Sequence, residues 1–231
     1  MRAVIFDWGG TLTPFRSVNP AEGWRVYADA FTEPAQSAAV AAQLLAAENA
    51  AWQQVHRDGT AFTFASLLAA TGVEEHPDAV RSFRAFWDQI TYTRDDVLPT
   101  LTALRERGLR TGVLSSTWWP SEWHEEGLRR DGVFEHFDAC VWSSQLPFTK
   151  PHPTAFLAAM RAIGVDDPAD CVYVGDRLFD DINGAKGVGM RAVFVPHSTI
   201  PPEQTEPVDV TPDAVIQRLT DLIPLVDDWS S

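Results

Sequence analysis

The N-terminal run Ala3-Val4-Ile5-Phe6-Asp7-Trp8-Gly9-Gly10-Thr11-Leu12 joins four apolar residues to an aspartate and a pair of glycines. Consecutive β-prone residues without polar alternation read as a strand buried on both faces, the habit of a parallel sheet. Asp7 stands where that strand stops, and Trp8-Gly9-Gly10 turns the chain away. In open α/β sheets ligands bind at the carboxyl ends of the strands. An aspartate after a strand is also a common turn or cap residue, so the rest of the chain has to choose between these readings.

Outward from that run, further short β-rich segments occur at Thr111–Leu114, Ala139–Trp142, Cys171–Val174 and Ala192–Val195. Between them lie segments with helical spacing, such as Leu98, Leu101 and Leu104 before Gly108, and Phe156, Leu157, Met160 and Ile163 before Gly164. This alternation predicts an α/β fold, a Rossmann-like, mostly parallel sheet with helices on both faces. The stretch from about Thr13 to Thr93 breaks the rhythm. Ala35–His56 carries Val40, Leu44, Ala47, Ala51 and Val55 at helical spacing. Phe64–Thr71 is closed by Gly72, and Val80, Phe83, Trp87 and Ile90 form another stripe. The expected organisation is an α/β core of residues 1–13 and 94–231 with an all-helical insertion of residues 14–93. Pro196–Pro207 reads as a surface loop, and a helix is expected from about Pro212 to Leu222.

With 231 residues, 45% of them hydrophobic, the chain can bury a substantial core. Its formal net charge of -14 repels polyanions, so neither nucleic acid nor an anionic membrane surface is an expected partner. A small anionic substrate responds more to the local site. Cys140 and Cys171 each sit in an apolar run and read as core residues, with no disulfide framework or zinc site indicated. The apolar run before Asp7 is too short for a signal peptide, and no run approaches a membrane span. A cytoplasmic location is therefore expected.

Three more strand ends bear on Asp7. Val174-Gly175-Asp176-Arg177-Leu178-Phe179-Asp180-Asp181 ends a strand in Gly-Asp and adds an acid five residues on. Two like charges about 4 Å apart repel by roughly 4 kcal/mol at an effective dielectric near 20. Asp7, Asp176 and Asp181 meeting at one sheet edge would call for a cation, and an all-oxygen set suits Mg²⁺. Ser115 and Ser116 follow Gly112-Val113-Leu114. Lys150, in Phe148-Thr149-Lys150-Pro151, is one of only two lysines, which makes it less expected as surface filler. Hydroxyl, ammonium and metal around a carboxylate suit a phosphoryl-like group.

In this order and spacing the four elements resemble the four motifs of the haloacid dehalogenase superfamily: Asp7 to Leu12, Ser115, Lys150-Pro151, and Gly175-Asp176 with Asp181. The resemblance implies that Asp7 is the nucleophile and a Mg²⁺ ligand, with the Gly9 carbonyl, Asp176 and Asp181 completing the metal set. Ser115, with Ser116 and Thr11, would hold the transferring group of a small phosphorylated substrate, and Lys150 would neutralise it and orient Asp7. The helical insertion would be a cap that closes over the substrate and excludes water.

One position departs from the pattern. Phosphatases of this superfamily usually carry a second Asp two residues after the nucleophile, where this chain has Gly9. The Asp-Trp-small-Gly-Thr run is similar to phosphonoacetaldehyde hydrolases, but residues 14–93 contain no lysine for the Schiff base that reaction needs. Dehalogenases also lack the second Asp, yet work without magnesium and match the fourth motif poorly. A phosphohydrolase or phosphotransferase with an unprotonated leaving group, or with an acid from Glu22, His56 or Asp58, remains, as does a binding or regulatory protein that kept the fold. Trp118, Trp119 and Trp123, with Trp8, could line an apolar pocket or pack the insertion onto the core.

Overall fold

The fold is seen in a computed structural model that describes residues 1–16, 18–196 and 206–230. Its centre is β1 (Ala3–Phe6), flanked by β2 (Arg110–Ser115) and β4 (Cys171–Gly175). With β3 (Ala139–Trp142), β5 (Arg191–Phe194) and β6 (Ala214–Val215) they form one parallel sheet in the order β3-β2-β1-β4-β5-β6. All four residues of β1 are fully buried, as the unbroken apolar run predicts.

Alternation along the strands sorts the two faces. Val4, Phe6, Val113, Val172, Val174 and Val193 pack on one side under α5 (Val97–Glu106) and α9 (Leu222–Ser230). Ala3, Ile5, Leu114, Tyr173 and Ala192 pack on the other under α7 (Pro153–Ala162) and α8 (Gly184–Gly187). The architecture is a Rossmann-like α/β fold, with the strands read from sequence present within a residue of their expected ends.

Residues 20–88 contain α1 (Pro20–Asp29), α2 (Pro34–Asp58), α3 (Phe64–Thr71) and α4 (Pro77–Asp88). Each starts where sequence chemistry favours it. Pro occupies the first turn of α1, α2 and α4, and Thr63 and Ser66 cap α3 reciprocally. Trp24, Tyr27, Leu44, Phe64, Leu67 and Phe83 make a cluster of their own, joined by Trp118 from the loop after β2. Backbone bonds from Ala61 to Pro147 (3.0 Å) and from Thr149 to Gly59 (2.9 Å) tie the α2–α3 connection to the segment leading into Lys150.

One buried acid lies inside that cluster. Glu48 of α2 accepts a 2.6 Å hydrogen bond from the Trp24 indole. Burial pushes its carboxyl above the ordinary glutamate range, opposed by the indole N–H groups of Trp24, Trp52 and Trp118. A raised folded-state value means that the folded chain holds the proton to higher pH. The stability this group contributes is present below its unfolded value near 4.5 and is lost as pH rises through the folded one. Glu48→Gln removes that titration, so the stability of the variant minus that of the wild type should climb with pH across this window and then level. Urea melts at a series of pH values measure the difference, and a flat profile would refute the perturbed carboxyl.

The C-terminal segment corrects the sequence reading. The helix expected over Pro212–Leu222 is instead the short strand β6, a 3₁₀ turn at Leu219–Asp221 and then α9. The open edge of β5 offers unpaired backbone groups, and Val193 and Phe194 take Ala214 and Val215 as parallel partners. Asp213 fixes the register by accepting from the Ala192 amide at 2.8 Å. Pro224, which lacks an amide donor, is tolerated in the first turn of α9. Of the expected loop Pro196–Pro207, residues 197–205 lie outside the described residues. No helix among the described residues is long and apolar enough to cross a membrane.

Candidate active site

Parallel register brings the chemistry-bearing residues to one edge of the sheet. Phe6 pairs with Val113 on one side and Val174 on the other, so Asp7, Ser115 and Asp176 leave adjacent strands at nearly the same height. Asp7 keeps the ladder for one more step, its amide donating to the Val174 carbonyl at 2.9 Å. The chain then turns, with the amides of Leu12 and Thr13 on the Trp8 carbonyl, and Gly10 at φ 89°, a conformation costly for any other residue.

Strand alternation puts Asp7 on the face of Ile5, where Tyr173 also lies. There the Lys150 ammonium donates to Asp7 Oδ1 at 2.6 Å, to Asp181 Oδ1 at 2.6 Å and to the Tyr173 hydroxyl at 3.0 Å. The Tyr173 hydroxyl donates its own O–H to the Leu114 carbonyl at 2.9 Å, so the phenol oxygen is left as an acceptor for the lysine. Burial alone would lower the Lys150 value, but Asp181 and Asp7 outweigh it and hold the ammonium well above its ordinary range. Asp7 is raised to about 6, chiefly by burial; Lys150 opposes that rise and Asp181 adds to it.

Asp7, Asp176 and Asp181 each present a carboxylate oxygen within 4.8 Å of the others, and all three are buried. With one ammonium among three carboxylates the cluster retains two negative charges, and its donors are all oxygen. A hard divalent cation such as Mg²⁺ fits that charge and chemistry.

Asp181 is aimed by the turn that carries it. The amide of Arg177 donates to Asp181 Oδ2 at 2.9 Å, within the π-helical turn Leu178–Asn183. Gly175 is required beneath it, because a Cβ there would stand 2.4 Å from the Asp181 carboxyl carbon. Gly175→Ala should therefore displace Asp181, strain its bonds to Lys150 and Arg177, and lower stability by about 1–3 kcal/mol, the usual cost of overpacking. Thermal melts check this; an unchanged melting temperature would mean that Asp181 has room to move.

The other residues expected at the site fall into place unequally. Ser115 is buried at the end of β2. Ser116 accepts from the Thr149 hydroxyl at 2.6 Å and so braces the loop of Lys150. Thr11 is fully buried, its hydroxyl without a hydrogen-bond partner among the described residues. Gly9 is half-buried, and a Cβ built on it would meet nothing within 4 Å. Glu22, His56 and Asp58 are exposed, and Asp58 is occupied in capping the Thr60 amide at 3.0 Å.

The tryptophans divide between packing and lining. Trp118 is stacked against Trp24 and Phe64 inside the helical cluster. Trp8, Trp87 and Trp119 instead surround a cleft of about 200 Å³ that opens beside Gly9.

Two residues that the sequence reading did not single out belong to this environment. Tyr173 is a lone polar ring in an otherwise apolar strand, and that break in pattern is its only sequence signal. His124, on α6 (Ser121–Arg130), is sandwiched between Trp119 and Trp142 and meets Trp8 edge-on at 4.6 Å. Burial pushes its imidazole down to about 3, so it stands neutral behind the tryptophans.

Known proteins resemble this chain in sequence and in fold. A family model for haloacid dehalogenase-like hydrolases matches residues 1–189. Over 167 residues the chain is 35% identical to a glyceraldehyde 3-phosphate phosphatase of Methanopyrus kandleri, covering 71% of this chain and 70% of that protein. Among solved structures, a HAD phosphatase from Thermococcus onnurineus superposes with a TM-score of 0.69 at 23% identity, covering 98% of both chains. The L-2-haloacid dehalogenase of Xanthobacter autotrophicus does so with 0.65 at 21%, again over 98% of both. At these identities the two structures share the fold. The family match over most of the chain and the Methanopyrus similarity go further: this chain belongs to the haloacid dehalogenase-like hydrolases.

Proposed function

We propose that the chain is a Mg²⁺-dependent phosphohydrolase of small phosphorylated molecules, with Asp7 as nucleophile and residues 14–93 as a cap over its site. The observation that carries this reading is Lys150 bridging Asp7 and Asp181 inside a buried cluster that still holds two negative charges. The similarity to a glyceraldehyde 3-phosphate phosphatase agrees with it.

Asp7, Asp176, Asp181 and the Gly9 carbonyl form the set that would hold the cation. Bound there, Mg²⁺ would neutralise charge on the phosphoryl oxygens. Asp7, kept ionised and pinned by Lys150 through Oδ1, attacks phosphorus with its other oxygen to give an aspartyl phosphate. The ammonium balances charge as it develops on the transferring group, and the hydroxyls of Ser115 and Thr11 donate to its oxygens. The Tyr173 hydroxyl keeps Lys150 in position.

A magnesium titration against a panel of small phosphate esters tests the proposal. Chelation should abolish hydrolysis, and Asp176→Asn should raise the Mg²⁺ concentration for half-activity at least roughly tenfold, since a carboxylate ligand is lost. Undiminished turnover in chelator would sink the phosphoryl reading in favour of cation-independent, dehalogenase-like chemistry.

A further inference from the structure

We infer that the substrate is a phosphate ester of an aromatic hydroxyl, its ring seated in the cleft beside Gly9. This rests on the phosphohydrolase reading above and names the leaving group that reading leaves open. Two independent features of the site point to it.

The first is space and its walls. The cleft of about 200 Å³ is bounded by Trp8, Gly9, Phe15, Trp87, Ile90 and Trp119, and its surface is mostly carbon. An apolar cavity of roughly 150 Å³ holds a benzene ring. Trp87 and Trp119 stand 5.7 Å apart at 57°, and Trp8 meets Trp119 edge-on at 6.3 Å, so the walls offer both faces and edges to a flat guest. His124 packs behind both Trp8 and Trp119, which stiffens that side. Gly9 lines the cleft two residues after Asp7, and a Cβ on it would meet nothing within 4 Å.

The second is the lack of an acid suited to protonate a leaving oxygen among the described residues that line the cleft. None carries a carboxyl or an imidazole, and their charged side chain is that of Arg16. His124, behind the wall, is neutral with a value near 3. When Asp7 attacks phosphorus, the bond from phosphorus to the leaving oxygen breaks and that oxygen departs with the electron pair. An alkoxide leaves poorly without a proton; a phenolate spreads its charge into the ring and needs none. Water then attacks the phosphorus of the aspartyl phosphate, the Asp7–phosphorus bond breaks, Asp7 regains its carboxylate, and the second proton of water leaves on the released phosphate. The cleft whose described lining brings no carboxyl or imidazole to a leaving oxygen is the one walled to hold a ring that needs no proton.

The test is made on the full Mg²⁺-loaded chain. kcat/KM is measured for phenyl phosphates of graded leaving-group acidity, with acetyl phosphate and trifluoroethyl phosphate as activated esters without a ring. Activity should rise steeply with leaving-group acidity, and the aryl esters should lie about tenfold or more above the line through the ringless ones. Trp119→Ala should shrink that excess several-fold; Ile90→Trp, which fills the cleft from another wall, should do the same if the first variant does not fold. Aryl esters on or below the ringless line, or an excess unchanged in either folded variant, would overturn the inference and leave the phosphohydrolase standing. No turnover of any ester, acetyl phosphate included, would overturn the phosphohydrolase reading and this inference with it.

Discussion

Asp7→Asn is expected to reduce turnover to background, a loss on the order of 10⁴–10⁶, while leaving the fold intact and the metal-free protein more stable. The activity loss follows from chemistry: an amide is nearly isosteric with the carboxylate but cannot attack phosphorus, and removal of a nucleophile typically costs rate on that scale. The gain in stability follows from the cluster. Three carboxylates lie with oxygens within 4.8 Å of one another, against the single ammonium of Lys150. Removing one carboxylate relieves repulsion while Lys150 keeps Asp181, so a gain of about 1–2 kcal/mol is reasonable against gross pair terms of roughly 3–4 kcal/mol. For a chain of this size each kcal/mol shifts the melting temperature by about 2–4 °C. Added Mg²⁺ should narrow or reverse the difference, because in the proposed site the wild type would offer the fuller ligand set. Phosphoenzyme trapping and melts with and without Mg²⁺ check both halves. A variant that keeps more than a trace of activity would mean that another residue is the nucleophile.

Much of this arrangement could be read before any coordinates. Buried parallel strands are unbroken apolar runs, so Ala3–Phe6 and Ala139–Trp142 match their expected bounds. Asp7, Asp176 and Asp181 were legible because each sits at or just past the end of such a run, where parallel register brings neighbours together. What escaped the sequence depended on partners distant along the chain. β6 exists because β5 has an open edge, a fact about neighbours that helical spacing over Pro212–Leu222 cannot carry. Tyr173 matters because it faces Lys150, 23 positions away, and Glu48 because it is buried against indoles. The tryptophans illustrate the same limit: their sequence spacing could not separate Trp118, which packs, from Trp119, which lines the cleft.

Gly9→Asp should accelerate hydrolysis of ordinary alkyl phosphates by up to about 10²–10⁴, the range that general acid–base catalysis supplies. The position is sterically ready: a Cβ on Gly9 meets nothing within 4 Å, and its φ lies outside the left-handed region, unlike that of Gly10. From there a carboxyl would enter the cleft beside Asp7, where it could protonate a leaving alkoxide and then activate water against the aspartyl phosphate. Two costs limit the gain. A further acid joins a cluster already carrying two net negative charges, which raises its own pKa and so disfavours the carboxylate needed to activate water in the second step. It also occupies space between Trp8 and Trp119 that the inferred aromatic group would use. The same substitution should therefore lower the preference for aryl over alkyl esters as it raises alkyl turnover, and flatten the dependence on leaving-group acidity. Wild type that hydrolyses alkyl and activated esters equally fast, with no improvement in Gly9→Asp, would show that an acid already reaches the leaving oxygen from elsewhere in the chain.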